Sequence, residues 1–164
     1  PKNSLQPDAL FPQILRKMGV RVTDLANGDL LVEGTQHLKP IEQNLRDCPD
    51  LFPVLSVLCA FAKGSSVLYG APHLAHKESS RIESTATLLR HLGCGLKRRH
   101  DGLEIDGKDS ISKVFFTFDP QQDHRLAMAA AVARLGGAHL QILNPSVVDK
   151  SFPEFWDLLE SGLK

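Results

Sequence analysis

Cysteine, tryptophan, tyrosine and uncompensated charge are all scarce in this chain of 164 residues. Its three cysteines, Cys48, Cys59 and Cys94, are an odd number without metal-type pairing, which argues against a disulfide framework and points to a reducing cytoplasm. Cys59 and Cys94 sit among apolar residues and read as small core fillers. The 19 Lys+Arg cancel the 19 Asp+Glu, so no long-range field draws the chain to nucleic acid or an anionic membrane surface. Any anion recognition must therefore be local. The longest apolar run, near residues 51–62, is too short and too interrupted to span a bilayer. The seven histidines lack paired ligand spacing, so no metal is expected, and the absence of a glycine-rich phosphate loop gives no reason to expect a cofactor. The N-terminus is not signal-like and the first residue is Pro1, which reads as a fragment, a processed chain or an expressed sub-domain.

What is present is an ordinary apolar content of 42%, enough for one good core or two small lobes sharing one. Pro7 and Asp8 open a helix through Leu10, Phe11, Ile14, Leu15 and Met18, and Gly19 stops it. Strands are expected over 20–24 and 30–33 about an Asn27-Gly28 turn. Residues 35–47 read as polar and irregular. A helix from Cys48-Pro49-Asp50 to about Ala62 has Asp50 as its natural N-cap and Pro53 in its first turn, and a strand follows over 66–69. The order then recurs: a helix over 78–92 burying Ile82, Ala86, Leu89 and Leu92, strands over 95–99, 103–105 and 114–118, a helix capped by Asp123, and a strand over 139–143.

The spacing reads as duplication. Leu15-Arg16-Lys17-Met18-Gly19 matches Leu89-Arg90-His91-Leu92-Gly93 at an offset of 74, while Asp50 matches Asp123 and Gly64 matches Gly137 at 73. Phe152-Pro153 echoes Phe11-Pro12 and begins a third copy with a helix over 152–159 but no strands. Repeats of about 8–72 and 78–145, with a partial third at 150–164, predict α/β lobes about a pseudo-threefold axis. The unfinished unit leaves open strand edges, and residues upstream of Pro1 are expected to fill them.

The polar residues of interest gather at helix starts. Lys77, Glu78 and Arg81 crowd one side of a first turn, where unpaired amides and the helix dipole favour an anion and Arg81 offers bidentate hydrogen bonds. A solvated turn with weak ion pairs is the plainer alternative for that cluster by itself. Arg125 heads a helix so rich in alanine that the helix is expected to be largely buried, and an arginine at its start opposes the dipole; a bound anion would relieve the conflict. His124 reads as a hydrogen-bonded structural histidine. Asp50 either caps its helix or accepts a substrate hydroxyl, and Lys150 lies just before the last helix. A common end for these helix starts is expected from the pseudo-threefold arrangement.

Three motifs, Lys77-Glu78-Ser79-Ser80-Arg81, Asp123-His124-Arg125-Leu126-Ala127-Met128 and Lys150-Ser151-Phe152-Pro153-Glu154-Phe155, together with Asp50 after Pro49, resemble the C-terminal part of the 5-enolpyruvylshikimate-3-phosphate synthases. The resemblance implies an α/β fold, a pseudo-threefold lobe of βαβαββ units (an enolpyruvyl transferase-like inverse α/β barrel) whose third unit is incomplete here. Residues 1–164 are then the single C-terminal domain of a two-domain transferase. It further implies carboxyvinyl transfer from phosphoenolpyruvate to the 5-hydroxyl of shikimate 3-phosphate, with no activity from this piece alone. By the same resemblance Asp50 is the base and Glu78 the proton donor. Arg81, Arg125 and Lys150 bind phosphoenolpyruvate, and Lys77 contacts the shikimate. The implied partners are those two small molecules and an N-terminal domain that this chain lacks. Ala75 stands where the family often has Arg or Lys, and His73 where some members have a substrate-contacting asparagine. Two alternatives are a UDP-N-acetylglucosamine enolpyruvyl transferase, whose motifs fit less well, and a non-catalytic anion-binding module of the same fold.

Overall fold

The computed structural model describes residues 6–76 and 80–162. Helix, hairpin, strand, helix and strand follow one another twice. The first set is α1 (Phe11–Lys17), β1 (Arg21–Asp24), β2 (Leu30–Glu33), β3 (Glu42–Asn44), α2 (Phe52–Ala60) and β4 (Gly64–Tyr69). The second is α3 (Arg81–His91), β5 (Gly95–Arg99), β6 (Gly102–Gly107), β7 (Phe116–Phe118), α4 (His124–Leu135) and β8 (Leu140–Ile142), and α5 (Phe155–Ser161) comes after them. Each hairpin is antiparallel, and each later strand pair, β3 with β4 and β7 with β8, is parallel with a helix as the crossover.

The two sets meet in one sheet of order β3-β4-β6-β5, in which β4 runs antiparallel to β6 with Ser66 opposite Ile105. That junction is tight enough to dictate a residue: a Cβ at Gly102 would strike the Leu68 carbonyl. The hairpin β1-β2 and the pair β7-β8 remain two-stranded among the described residues. The hairpin leaves apolar side chains open, because Leu30, Leu31 and Val32 of β2 are all more than two-fifths exposed at 42%, 48% and 52%.

The core lies between this sheet and the two central helices. Phe52, Leu55, Val57, Cys59 and Ala60 of α2 and Leu126, Ala127, Ala129, Ala130, Ala131 and Ala133 of α4 are buried, and the two helices pack against each other. A helix apolar nearly all round belongs in an interior, and the alanines of α4 allow its close approach. All four residues expected on the buried side of α3, from Ile82 to Leu92, are buried. So are Cys59 and Cys94, and all three cysteines are free thiols.

Three expectations are corrected here. Residues 35–47 hold a strand, β3, and a parallel bridge from Leu38 to Ala62. Glu42-Gln43-Asn44 carries no apolar alternation, since β3 is an edge strand held by backbone pairing to β4. The strand expected over 114–118 begins at Phe116, leaving Val114 and Phe115 exposed. The last helix begins at Phe155, three residues late, because a 3-10 turn over Pro145–Lys150 and a further turn precede it.

Candidate anion site

Asp123 is the fixed point. Gln121 and Gln122 both adopt left-handed backbone, with φ of 51° and 64°, a conformation that costs energy in non-glycine residues. The loop is pinned to hold it: Asp119 Oδ1 accepts from Gln121 N at 2.8 Å, Ser84 Oγ donates to Gln121 Oε1 at 2.9 Å, and Asp123 N donates to Pro120 O at 2.9 Å. Asp123 then enters α4 as an N-cap, its Oδ1 accepting from Arg125 N at 3.0 Å, as the sequence leads one to expect.

The other oxygen of Asp123 has a second task. Oδ2 accepts from Arg81 Nε at 2.7 Å, and both residues are almost completely buried, at 0% and 1% exposure. Arg81 begins α3, where its charge opposes the helix dipole, and burial adds a desolvation cost. Two carboxylates offset those costs: Arg81 Nη1 also donates to Asp50 Oδ1 at 2.9 Å. Asp50 Oδ2 in turn accepts from Arg125 Nη2 at 2.7 Å, so one carboxylate bridges two guanidinium groups. Side-chain exposure rises along this chain, from 0% at Asp123 and 2% at Arg81 to 33% at Asp50 and 32% at Arg125. The network therefore runs from the interior to a solvent-facing mouth.

One expectation changes at this site. Asp50 makes no side-chain cap; it lies inside the 3-10 turn Pro49–Leu51 that leads into α2. The donors a cap needs are gone, since Phe52 N donates to Pro49 O and Pro53 has no N–H. The helix that Arg125 heads is buried as expected, while the Arg125 side chain is one-third exposed and Arg81 is the buried arginine. Sequence placed the conflict with the dipole on the right kind of residue but resolved it with a ligand, whereas here Asp50 supplies the anion.

Lys150 lies at the end of the turn Pro145–Lys150, and its Nζ donates to Gln122 O at 2.9 Å, one residue before Asp123. The structure thus gathers Asp50, Arg81, Arg125 and Lys150 about the N-terminal end of α4. His124 is buried at the same end, with Nε2 2.6 Å from Arg125 Nη1. Lys77 and Glu78 lie outside the described residues. The chain leading towards them is fixed, because Asp101 takes Gly70 N on its Oδ2 and Ala71 N on its carbonyl, each at 3.0 Å. Asn44 fills the space where a Cβ at Gly70 would stand.

Sequence reasoning missed two residues. Asp123 looked like a cap alone; the signal for more was the buried arginine it would have to face. Asp8 looked like a helix opener, yet it is close enough to sense this network. Partial loss of solvent, then repulsion from Asp50, raises its carboxyl above the usual value, with Arg125 acting the other way. Among the described residues no group of three or more His, Cys, Asp or Glu is placed to hold a metal ion, and no helix is long and apolar enough to cross a membrane.

Comparison with known proteins gives the family of the chain that carries this network. The 3-phosphoshikimate 1-carboxyvinyltransferases of Syntrophobacter fumaroxidans and Methanosphaerula palustris are 41% and 38% identical to this chain over 96% and 98% of its length. The chain spans about 37% of either relative. A solved EPSP synthase from Acinetobacter baumannii superposes with a TM-score of 0.74 and 30% identity, over 91% of this chain and 37% of that one. The enolpyruvyl transferase NikO from Streptomyces tendae, 23% identical over 93% of this chain and 35% of its own, shares the fold with a TM-score of 0.70. The model of the EPSP synthase (3-phosphoshikimate 1-carboxyvinyltransferase) family matches residues 1–159, so the chain belongs to that family and has its α/β enolpyruvyl transferase fold.

Proposed function

We propose that this chain is the C-terminal domain of a cytoplasmic enzyme that transfers the carboxyvinyl group of phosphoenolpyruvate to the 5-hydroxyl of shikimate 3-phosphate. The observation that carries the proposal is a pair of guanidinium groups, buried Arg81 and one-third-exposed Arg125, bridged by the partly exposed Asp50 carboxylate at 2.9 and 2.7 Å. Such a bridge has the charge and spacing that a substrate carboxylate requires. On this reading residues 8–72 and 78–145 are repeated units and 150–164 part of a third, completed by other segments of the same protein.

The residues divide the chemistry as follows. Asp50 takes the proton of the 5-hydroxyl as its oxygen bonds to C2 of phosphoenolpyruvate, and Glu78 delivers a proton to C3. Arg81, Arg125 and Lys150 bind the carboxylate and phosphate of phosphoenolpyruvate and neutralise the charge that builds on the departing phosphate. Loss of a proton from C3 and cleavage of the C2–O–phosphate bond then give the enol ether and inorganic phosphate. Lys77 contacts the shikimate. No step calls for a metal or a redox cofactor.

The test is phosphate release by the full-length protein given phosphoenolpyruvate and shikimate 3-phosphate, with the 164-residue chain alone as control. Turnover that needs both substrates and the whole protein is the expected result. Full-rate release by the chain alone, or none from the folded full-length protein, would sink the proposal.

A further inference from the structure

We propose that Asp123 is a positioning residue for the anion site: it holds the Arg81 guanidinium by Nε and so aims the opposite edge of that group at the substrate carboxylate. This rests on the reading of Arg81 as a phosphoenolpyruvate ligand. Three features of the geometry lead to it.

First, the two oxygens of Asp123 do different work. Oδ1 is committed to Arg125 N at the head of α4, and Oδ2 meets Arg81 Nε at 2.7 Å. The carboxylate is thereby tied to a helix end whose dipole favours it, and it is wholly buried. Second, Arg81 has one anchored edge and one edge that can exchange partners. Its Nε faces a carboxylate without exposure, while its Nη1 faces Asp50, which is one-third exposed and shared with Arg125. An incoming carboxylate can replace Asp50 at the guanidinium pair without disturbing Asp123. Third, a purely structural buried arginine would end on buried partners on both sides. This one leads from the interior to the mouth of the site.

Asp123 thus resembles the orienting partner of a reactive group, acting through Arg81 without touching the substrate. Misplacing a binding group by about 1 Å costs on the order of 10²-fold in rate. Asp123→Asn isolates the effect. Its amide oxygen still accepts from Arg125 N, whereas its NH₂ confronts Arg81 Nε–H donor to donor. Asp123→Ser provides the second case, since serine caps a helix well but is too short to reach Arg81.

In the full-length protein both variants are expected to keep the parent's circular dichroism and to bind shikimate 3-phosphate within threefold of the parent. Their kcat/KM for phosphoenolpyruvate should fall about 10²-fold. A folded variant with phosphoenolpyruvate kinetics within threefold of the parent overturns the inference, and so does equal weakening of both substrates. A separate readout needs neither a variant that folds nor turnover. The Arg81 Nε–H signal in ¹⁵N NMR of the parent protein should exchange slowly with solvent, both before and after phosphoenolpyruvate is added. Rapid exchange in either state overturns the inference by itself. A parent with slow exchange and no turnover would leave the Asp123 contact standing and remove only the proposed reaction.

Discussion

Asp50 and Asp123 stand 73 residues apart, each at the start of a buried helix, and their side chains behave quite differently. The same offset sets Leu51 against His124 and Phe52 against Arg125. In the second unit the aspartate keeps the helix cap and is wholly buried. In the first, Pro49 and Pro53 draw the chain into a 3-10 turn, the cap donors disappear, and the carboxylate is released towards solvent. Phe52, at 0% exposure, fills the core where Arg125 reaches the mouth. Pro49 and Pro53, with Phe52 where Arg125 stands 73 residues on, thus separate the aspartate facing the site from the scaffolding one. Two stretches with the same order of elements can share a backbone plan while the local supply of N–H donors decides what a side chain does.

The largest test of that contrast is chemical. Asp50→Asn in the full-length protein is expected to reduce kcat about 10³-fold, in the range of a lost general base. Its melting temperature should fall less than that of Asp123→Asn, because Asp50 is one-third exposed and the asparagine still offers Arg81 an amide oxygen. A kcat within tenfold of the parent would return Asp50 to a structural role.

The equivalent change on the other side should register in stability. Asp123→Ala removes one partner of a buried ion pair and is expected to lower the unfolding free energy by about 3–5 kcal/mol. Urea denaturation checks this, and a loss below about 1 kcal/mol would show that Arg81 needs only Asp50.

The next pair of residues sharpens the comparison. Phe52→Ala should cost about 3–5 kcal/mol of stability as a core cavity, whereas Arg125→Ala, at a half-open ion pair, should cost less than about 1 kcal/mol. Equal losses for the two would mean that Arg125 is a core residue after all. Arg125→Ala should still raise KM for phosphoenolpyruvate.

The smallest effect concerns the thiols. Cys59 of α2 has no thiol counterpart in α4, since its equivalent is Val132. Burial pushes Cys59 up to about 12 and Cys94 up to about 11, against an ordinary 9.0. The folded state therefore favours the neutral thiols. The stability tied to them is complete below pH 9.0 and is lost as pH rises from there towards about 11 to 12. Urea midpoints from pH 8 to 10 should fall less in Cys59→Val than in the parent; identical slopes would contradict the burial of that thiol.

Much of this was legible in the residues. The 3.6-residue apolar period of α3, the Asn27-Gly28 turn and the Asp123 cap are local signals, and local backbone physics enforces them. The strand β3 was not legible, because Glu42-Gln43-Asn44 is made a strand by its neighbour β4. Nor was the burial of Arg81. Its near sequence is charged and solvent-like, and only Asp123, 42 residues away, and Asp50, 31 residues away, make its interior position tolerable.

By itself the sequence determined the order of elements apart from β3, the matched spacing of 73 to 74 residues and the charged starts of α3 and α4. Each of these depends on a few neighbouring residues and on period. Tertiary structure alone decided which arginine is buried, which aspartate caps and which faces solvent. Those outcomes depend on where hydrogen-bond donors and countercharges from distant segments converge, and no local pattern encodes that distance. The Asp123–Arg81–Asp50–Arg125 chain is the clearest case: the sequence supplied its four members, and the fold assigned their tasks.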